Sequence, residues 1–399
     1  MTPHMDVAAA LRQITGFIYP NELELHWALL VVIYPYLTGL VAGAFILASL
    51  EKVFKVKELE HTYRFSLLIA LAFLIVAPLP LLTHLGHPER SFEIFLTPHF
   101  KSAMAMFGFV YAWYLMVVLL LEIWFEYRAD LVRWSRSEHG VKRLVHNVLT
   151  LGSKDVSPGA VAFDHKAVHV ITLIGIPSAF LLHGYVGFIF GSVKANPWWS
   201  SVLIPIVFLF SAIVSGISLV FLLYYIVTLL RKQTPDMACL NKLASFLFYA
   251  LLVDFSLELL DFVHRLYESE ESIKILSELI YTKLFLSLTI VQIILGTIAP
   301  ILLLAVARFS KLPDELKRLG FFIAALLVQV GIFSTRWNVV IGGQLFSKSL
   351  RGLTFYKLEV GGAEGLLTGV TFLVLPLLIL FVLVKVLPPW REARTREEG

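Results

Sequence analysis

The chain has 399 residues, 58% of them hydrophobic, and a mean hydropathy of +0.80. Soluble proteins of two or three domains use apolar residues for only about half of their sequence, so a soluble enzyme is excluded and length counts membrane spans. The net charge of +4 and pI near 9.0 are read as loop lysines and arginines of a membrane protein, with no nucleic-acid partner.

Lipid offers the backbone no hydrogen-bond partners, so a spanning segment must be a helix of roughly 20 mostly apolar residues. Nine segments qualify, at about 27–50, 63–85, 103–125, 166–190, 202–230, 243–264, 281–307, 320–335 and 366–387, the eighth being the shortest. The expected fold is an all-α, multi-pass protein of the cytoplasmic (inner) membrane. It divides into an outer segment 1–26, a transmembrane domain 27–387 and a cytoplasmic tail 388–399. Residues 1–26 hold Arg12 but no apolar core of signal-peptide kind, so the first span is expected to stay in the membrane.

His26 opens span 1, within which Gly39 and Gly43 form a small-xxx-small pair that lets helices approach closely. His84 and His87 follow span 2. The long loop 126–165 contains the run from Val141 to Leu149, whose apolar and basic residues read either as a short surface helix or as a solvated loop. His183 closes span 4, which also carries His169. Cys239, the single cysteine, is placed in a short loop beside Asp236 and Lys242. One thiol cannot build an iron–sulfur cluster, a Cys-rich zinc site or a c-type haem attachment, so any such centre belongs to a partner.

Span 6 is the most informative element. A charged group facing lipid costs on the order of 2.5–3.5 kcal/mol, so such groups normally face protein or water. Asp254, Glu258, Asp261 and Arg265 recur at i, i+4, i+7 and i+11, which puts them within roughly 60° on one helical face. The stripe runs about 16 Å toward the outer surface, where His264 adds a further titratable group. Three acids beside one arginine suit a proton path; the other reading is an ion-paired ladder that locks helices together. The loop beyond, with Glu268, Glu270, Glu271 and Glu278, faces either a partner or solvent.

Lys and Arg favour the loops after spans 1, 3, 5 and 7 and the C-terminal tail roughly two to one, which predicts the N-terminus outside and the C-terminus inside. The histidines at span ends then collect on the outer side. A quinone needs donors for two carbonyl oxygens and a route for two protons, and His or Tyr at a lipid-accessible mouth supplies both. His169 and His183 are also spaced so that two stacked haems could be reached, with His84 or His264 outside and His61 or His165 inside as second ligands.

The segment Thr83-His84-Leu85-Gly86-His87-Pro88-Glu89-Arg90 is similar to the HLGxPER signature of the NrfD/PsrC family, the quinone-handling membrane subunits of polysulfide-reductase-type complexes. Tyr34-Pro35-Tyr36-Leu37-Thr38-Gly39-Leu40-Val41-Ala42-Gly43 looks like the family's Gly-rich first helix. His183-Gly184-Tyr185-Val186-Gly187-Phe188 and Asn196-Pro197-Trp198-Trp199 add to the match. Arg336-Trp337-Asn338-Val339-Val340-Ile341-Gly342-Gly343-Gln344 resembles a long-form branch that includes the DsrP and HybB-like subunits.

The resemblance covers roughly residues 25–385. It implies two four-helix bundles plus an extra helix, and a quinone pocket beneath an iron–sulfur, ferredoxin-like partner on the outer face. By position, His26 and Tyr185 resemble the family's quinone-site His and Tyr, and His183 and His84 are expected to join them in binding the quinone. The Asn three residues before that His in the polysulfide-reductase type is Leu23 here. His87, Glu89 and Arg90 are expected to brace the partner-docking loop.

The expected function is electron exchange between menaquinone and that partner, within a respiratory complex handling sulfur compounds or sulfite. Asp254, Glu258, Asp261 and His264 carry protons, a partial inward route through Glu122 and His169 is left open, and the chain holds no haem or cluster of its own. Two other readings remain: a proton or ion transporter without redox chemistry, and a di-haem cytochrome b anchor.

Overall fold

The computed structural model describes residues 13–99, 101–268 and 271–390; Arg12 and Glu270 lie outside them, as do the segment 1–12 and the tail from 391 onward. Among the described residues nine helices are long and apolar enough to cross a membrane. They are α1 (Leu29–Lys52), α2 (Lys57–His84), α3 (Gly108–Ser137), α4 (Pro158–Gly191), α5 (Ile204–Leu230), α6 (Met237–Glu268), α7 (Phe285–Phe309), α8 (Asp314–Gln344) and α9 (Leu366–Val386).

Several helices outrun the apolar stretches that announce them, because capping chemistry rather than hydropathy sets their ends. Pro158 opens α4 at the first helical position, and the Ser157 hydroxyl accepts the Ala160 N–H at 3.4 Å. Asp155 in turn accepts the Ser157 N–H at 2.8 Å and lies beside Arg128, which together hold its carboxyl below the usual carboxylate range. At α6 the Asp236 carboxylate accepts the N–H groups of Ala238 and Cys239 at 3.0 and 3.3 Å. Cys239 is therefore buried in the first turn of a helix, not in a loop as its polar neighbours suggest.

α1 is the hub. It packs against α2 and α4 in a first bundle, α1–α4, and against α5 and α8 of a second, α5–α8; α9 lies outside, on α2 and α1. The two bundles meet along small residues: a Cβ at Gly43 would fall 2.0 Å from the Ala212 carbonyl oxygen and 2.8 Å from the Gly216 Cα. Inside the second bundle, a Cβ at Gly296 would fall 2.3 Å from the Gly331 Cα. Such contacts replace the hydrophobic driving force that lipid does not supply between helices. The third helix of each bundle contains a π-helical stretch, Tyr114–Leu119 in α3 and Phe285–Ile298 in α7. Widened turns of this kind redirect side chains inside a helix and are frequent at functional sites.

At the end where α1 begins, the connection between α8 and α9 is clamped over the chain. Thr15–Gly16 (β1) pairs antiparallel with Gly352–Leu353 (β2). The Gln344 side chain accepts the Trp27 N–H at 3.1 Å and donates to the Trp27 carbonyl at 3.0 Å. The Leu29 N–H donates to the Tyr356 hydroxyl, whose burial raises its pKa. At the opposite end the run 141–149 does form a helix, Gly140–Leu149, with Val141, Leu144 and Val148 exposed. Its His146 ring meets Glu138 at 2.5 Å and the Val386 carbonyl at 2.9 Å.

Candidate functional site

Arg336, near the end of α8, is 0% exposed and sits between the two bundles. Its Nη2 donates to Ser211 Oγ on α5 at 2.6 Å and meets His183 Nε2 on α4 at 3.1 Å. The guanidinium lies 4.1 Å from the centre of the Phe208 ring, and its Nε and Nη1 have no hydrogen-bond partner among the described residues. The other His183 nitrogen, Nδ1, meets Thr38 Oγ1 on α1 at 3.3 Å. Arg336 also acts electrostatically on Asp254 and Glu258 of α6 and on Tyr36 of α1. One buried cation thus touches both bundles, an arrangement that needs several partners to offset its desolvation.

The acidic stripe of α6 grades from inside to outside. Asp254 is buried, and its Oδ1 has no hydrogen-bond partner among the described residues. Glu258 accepts from Gln292 Nε2 at 3.2 and 3.3 Å. Gln292 lies in the π-helical part of α7; its own oxygen accepts from Asn338 Nδ2 at 2.8 Å, and Asn338 Oδ1 accepts the Ser287 hydroxyl at 2.6 Å. Asp261 pairs with Arg265 at 2.9 Å and accepts the hydroxyl of Ser201, while Arg265 donates to the Pro197 carbonyl.

That last contact joins the stripe to the connection between α4 and α5, which carries Asn196, Trp198 and Trp199. Asn196 Nδ2 donates to the Gly343 carbonyl at 2.7 Å, and Trp199 Nε1 to the Val339 carbonyl at 2.6 Å. Trp199 stacks on Trp27 with ring centres 5.2 Å apart, directly after the exposed His26. From there an aromatic run leads inward: Trp199 to Phe190 at 5.5 Å, Phe190 to Phe208 at 5.9 Å, and Phe208 to His183 at 5.7 Å. The half-exposed Tyr185 packs by Phe188 one turn before Phe190. Flat rings, an exposed imidazole and a phenol at one rim suit an aromatic, carbonyl-bearing ligand that exchanges protons.

Residues 20–348 match the family described as polysulphide reductase, NrfD. The chain belongs to the NrfD family. It is 32% identical over 323 residues to a selenate reductase subunit of Mesobacillus selenatarsenatis, covering 79% of this chain and 73% of that protein. It is 28% identical over 229 residues to a proposed dimethyl sulfoxide reductase membrane subunit of Halobacterium salinarum, covering 55% of this chain and 48% of that one. Over 196 residues it is 29% identical to the Escherichia coli protein NrfD, covering 48% and 58% of the two chains.

Within this NrfD-family fold the residues singled out from sequence separate into two groups. His183, Asp254 and Glu258 gather around Arg336, and Asp261 connects outward through Arg265. His183 lies two turns inside the end of α4 instead of closing it, because the helix continues through Tyr185-Val186-Gly187 to Gly191. Both of its ring nitrogens are engaged, by Thr38 and Arg336. The remaining residues stand apart from this cluster. His84 pairs with Glu364 at 2.7 Å, His87 with Glu89 at 3.0 Å and Arg90 with Glu93 at 3.0 Å. These three pairs are at least partly exposed. His264 is exposed and reaches Glu268 at 3.4 Å, so it continues the stripe only at the surface.

Sequence reasoning misses the central part of Arg336 and the amide partners Gln292, Asn338 and Gln329. Gln329 accepts the Tyr36 hydroxyl at 2.6 Å and donates to Ser218 Oγ at 2.5 Å. The available signal is an arginine immediately after the eighth apolar stretch, at a place where the helix has no reason to stop.

Proposed function

We propose that this chain is the quinone-site membrane subunit of a respiratory oxidoreductase complex in the cytoplasmic membrane. It exchanges electrons between a menaquinone-type quinone and an iron–sulfur, ferredoxin-like partner docked at the His26 end, which we assign to the outer face. The observation that carries this reading is the connected run from His26 and the Trp27–Trp199 stack to the buried Arg336–His183 pair. Its likeness to a selenate reductase subunit and to a dimethyl sulfoxide reductase membrane subunit supports a terminal acceptor that is an oxidised sulfur or selenium compound.

The bound quinone supplies the two-electron chemistry, and the chain supplies position and proton traffic. Tyr185 and His26 would hold the headgroup through hydrogen bonds to its ring oxygens, beside the aromatic shelf. Asp261, fastened to the Asn196–Trp199 connection through Arg265, takes protons between the mouth and Glu258. Asp254 and Glu258 share the field of Arg336, so a proton added to either changes the charge balance of the whole cluster. His87, Glu89 and Arg90, exposed at the same rim, are assigned to partner docking.

In the purified complex, Tyr185→Phe and His26→Ala should each lower turnover with a soluble quinol analogue by about 10²-fold, the lower range for a positioned acid–base group, with all subunits retained. Full turnover in both variants would overturn the assignment, and loss of the complex would make the residues structural. Lipid extracted from the complex should contain quinone. Its absence, together with ion flux through the isolated chain, would favour the transporter.

A further inference from the structure

The first bundle holds a buried carboxyl that the quinone reading does not use. Glu122 on α3 is 0% exposed. Its Oε1 accepts the Tyr63 hydroxyl from α2 at 3.0 Å and the Thr172 hydroxyl from α4 at 2.8 Å. Its Oε2 has no hydrogen-bond partner among the described residues. The titratable groups acting on Glu122 are Tyr63, Glu126 of the same helix, Lys52 of α1 and, one π-helical stretch away, Tyr114. Both nearby cations already serve Glu126, Lys52 at 2.9 Å and Arg64 at 2.8 Å.

Tyr63 is shared with a second feature. A cavity of about 710 Å³ opens at the end opposite His26, lined by Glu51, His61, Tyr63, Arg64, Arg231 and Trp390 among others. The space is polar and wide enough for many waters. Tyr63 stands about two turns into α2 from that end; it is among the residues lining the cavity although only 2% exposed, and its hydroxyl is on Glu122. Of the two hydroxyls that serve Glu122, that of Tyr63 alone belongs to a cavity-lining residue; Thr172 comes from the far side, on α4.

We propose that Tyr63 and Glu122 form a proton inlet from the inner aqueous phase, built into the first bundle and separate from the quinone site. A hydronium ion in the cavity gives a proton to the Tyr63 oxygen, becoming water, as Tyr63 passes its own hydroxyl proton to Glu122. One O–H bond breaks and one forms at each hop, and no electrons move. Thr172 holds the acceptor oxygen in line, leaving Oε2 as the outlet. Tyr114, whose buried hydroxyl also has no hydrogen-bond partner among the described residues, stands eight residues earlier on α3, in the π-helical stretch.

The test is pH-difference infrared spectroscopy of the full chain in lipid, which needs neither quinone nor partner and so fails or succeeds independently of the reading above. Glu122→Gln should remove a carboxylic C=O stretching band that Asp254→Asn leaves in place. Exchange of that band in D2O should slow by about tenfold in Tyr63→Phe, equivalent to roughly 1.4 kcal/mol of added barrier. No band lost in Glu122→Gln, or an exchange rate untouched by Tyr63→Phe, would overturn the inlet and leave Glu122 as a helix lock.

Discussion

The two four-helix bundles solve the same problem in opposite halves of the molecule. Each buries carboxyls among its helices and carries a π-helical stretch in its third helix. In the first bundle Glu122 follows Tyr114–Leu119 and takes hydroxyl donors from Tyr63 and Thr172. In the second, Gln292 within Phe285–Ile298 serves Glu258 with an amide. The differences are equally instructive. Glu122 is approached from the cavity at the Lys52 end, whereas the α6 acids lead toward the His26 end through Asp261 and Arg265. Among the described residues, only the second bundle supplies a buried arginine that reaches across to the other, at His183. The bundles are joined by a charge and a seam of small residues.

Breaking the joint should have the largest effect. Arg336→Leu strips Ser211 and His183 of their donor and leaves Asp254 and Glu258 without a cation. Removing one member of a buried charged cluster costs on the order of 3–5 kcal/mol, so size-exclusion chromatography in mild detergent should show loss of the intact complex; an unchanged profile would mean the bundles are held by packing alone. Gly43→Val comes next, since its side chain must enter space occupied by the Ala212 carbonyl and Gly216. Overpacking costs about 1–3 kcal/mol, and thermal melts should shift downward, with Gly86→Ala, which has open space around it, as the silent control.

Two smaller effects probe the second bundle. Asp261→Asn should slow proton-coupled turnover several-fold while leaving the quinol KM unchanged; an altered KM with normal kcat would reassign Asp261 to quinone binding. Gln292→Leu removes the amide from Glu258 and Asn338 but keeps the volume similar, and should cost about 1–3 kcal/mol for the partners left unsatisfied, read in the same melts. Smallest of all, His87→Ala at the exposed rim should change chain stability by less than about 0.5 kcal/mol, with any loss confined to subunit co-purification.

Much of this is legible in the sequence. The nine apolar stretches map onto α1–α9, and the periodicity of Asp254, Glu258 and Asp261 identifies the acidic face of α6. Helix ends are less legible, because capped polar turns such as those at Ser157-Pro158 and Asp236-Met237 lie outside any apolar stretch. Arg336 reads as the boundary of a span, since a charge weighs heavily against membrane burial until its partners are known, and those partners, His183 and Ser211, are more than a hundred residues away. Glu122 stands out as an acid in an apolar run, yet its bond to Tyr63 links two helices and leaves no periodic trace. The amides Gln292, Gln329 and Asn338 look ordinary in sequence and acquire meaning only through the groups they face.

The central claim is that a quinone headgroup binds at the end of the bundle where α1 begins. Photolabelling of the complex with an azido-quinone, followed by peptide mapping, tests it most directly. Label is predicted on the peptides carrying His26-Trp27 and Tyr185 to Phe190; label confined to the opposite end, around Tyr63 and Arg231, would contradict it.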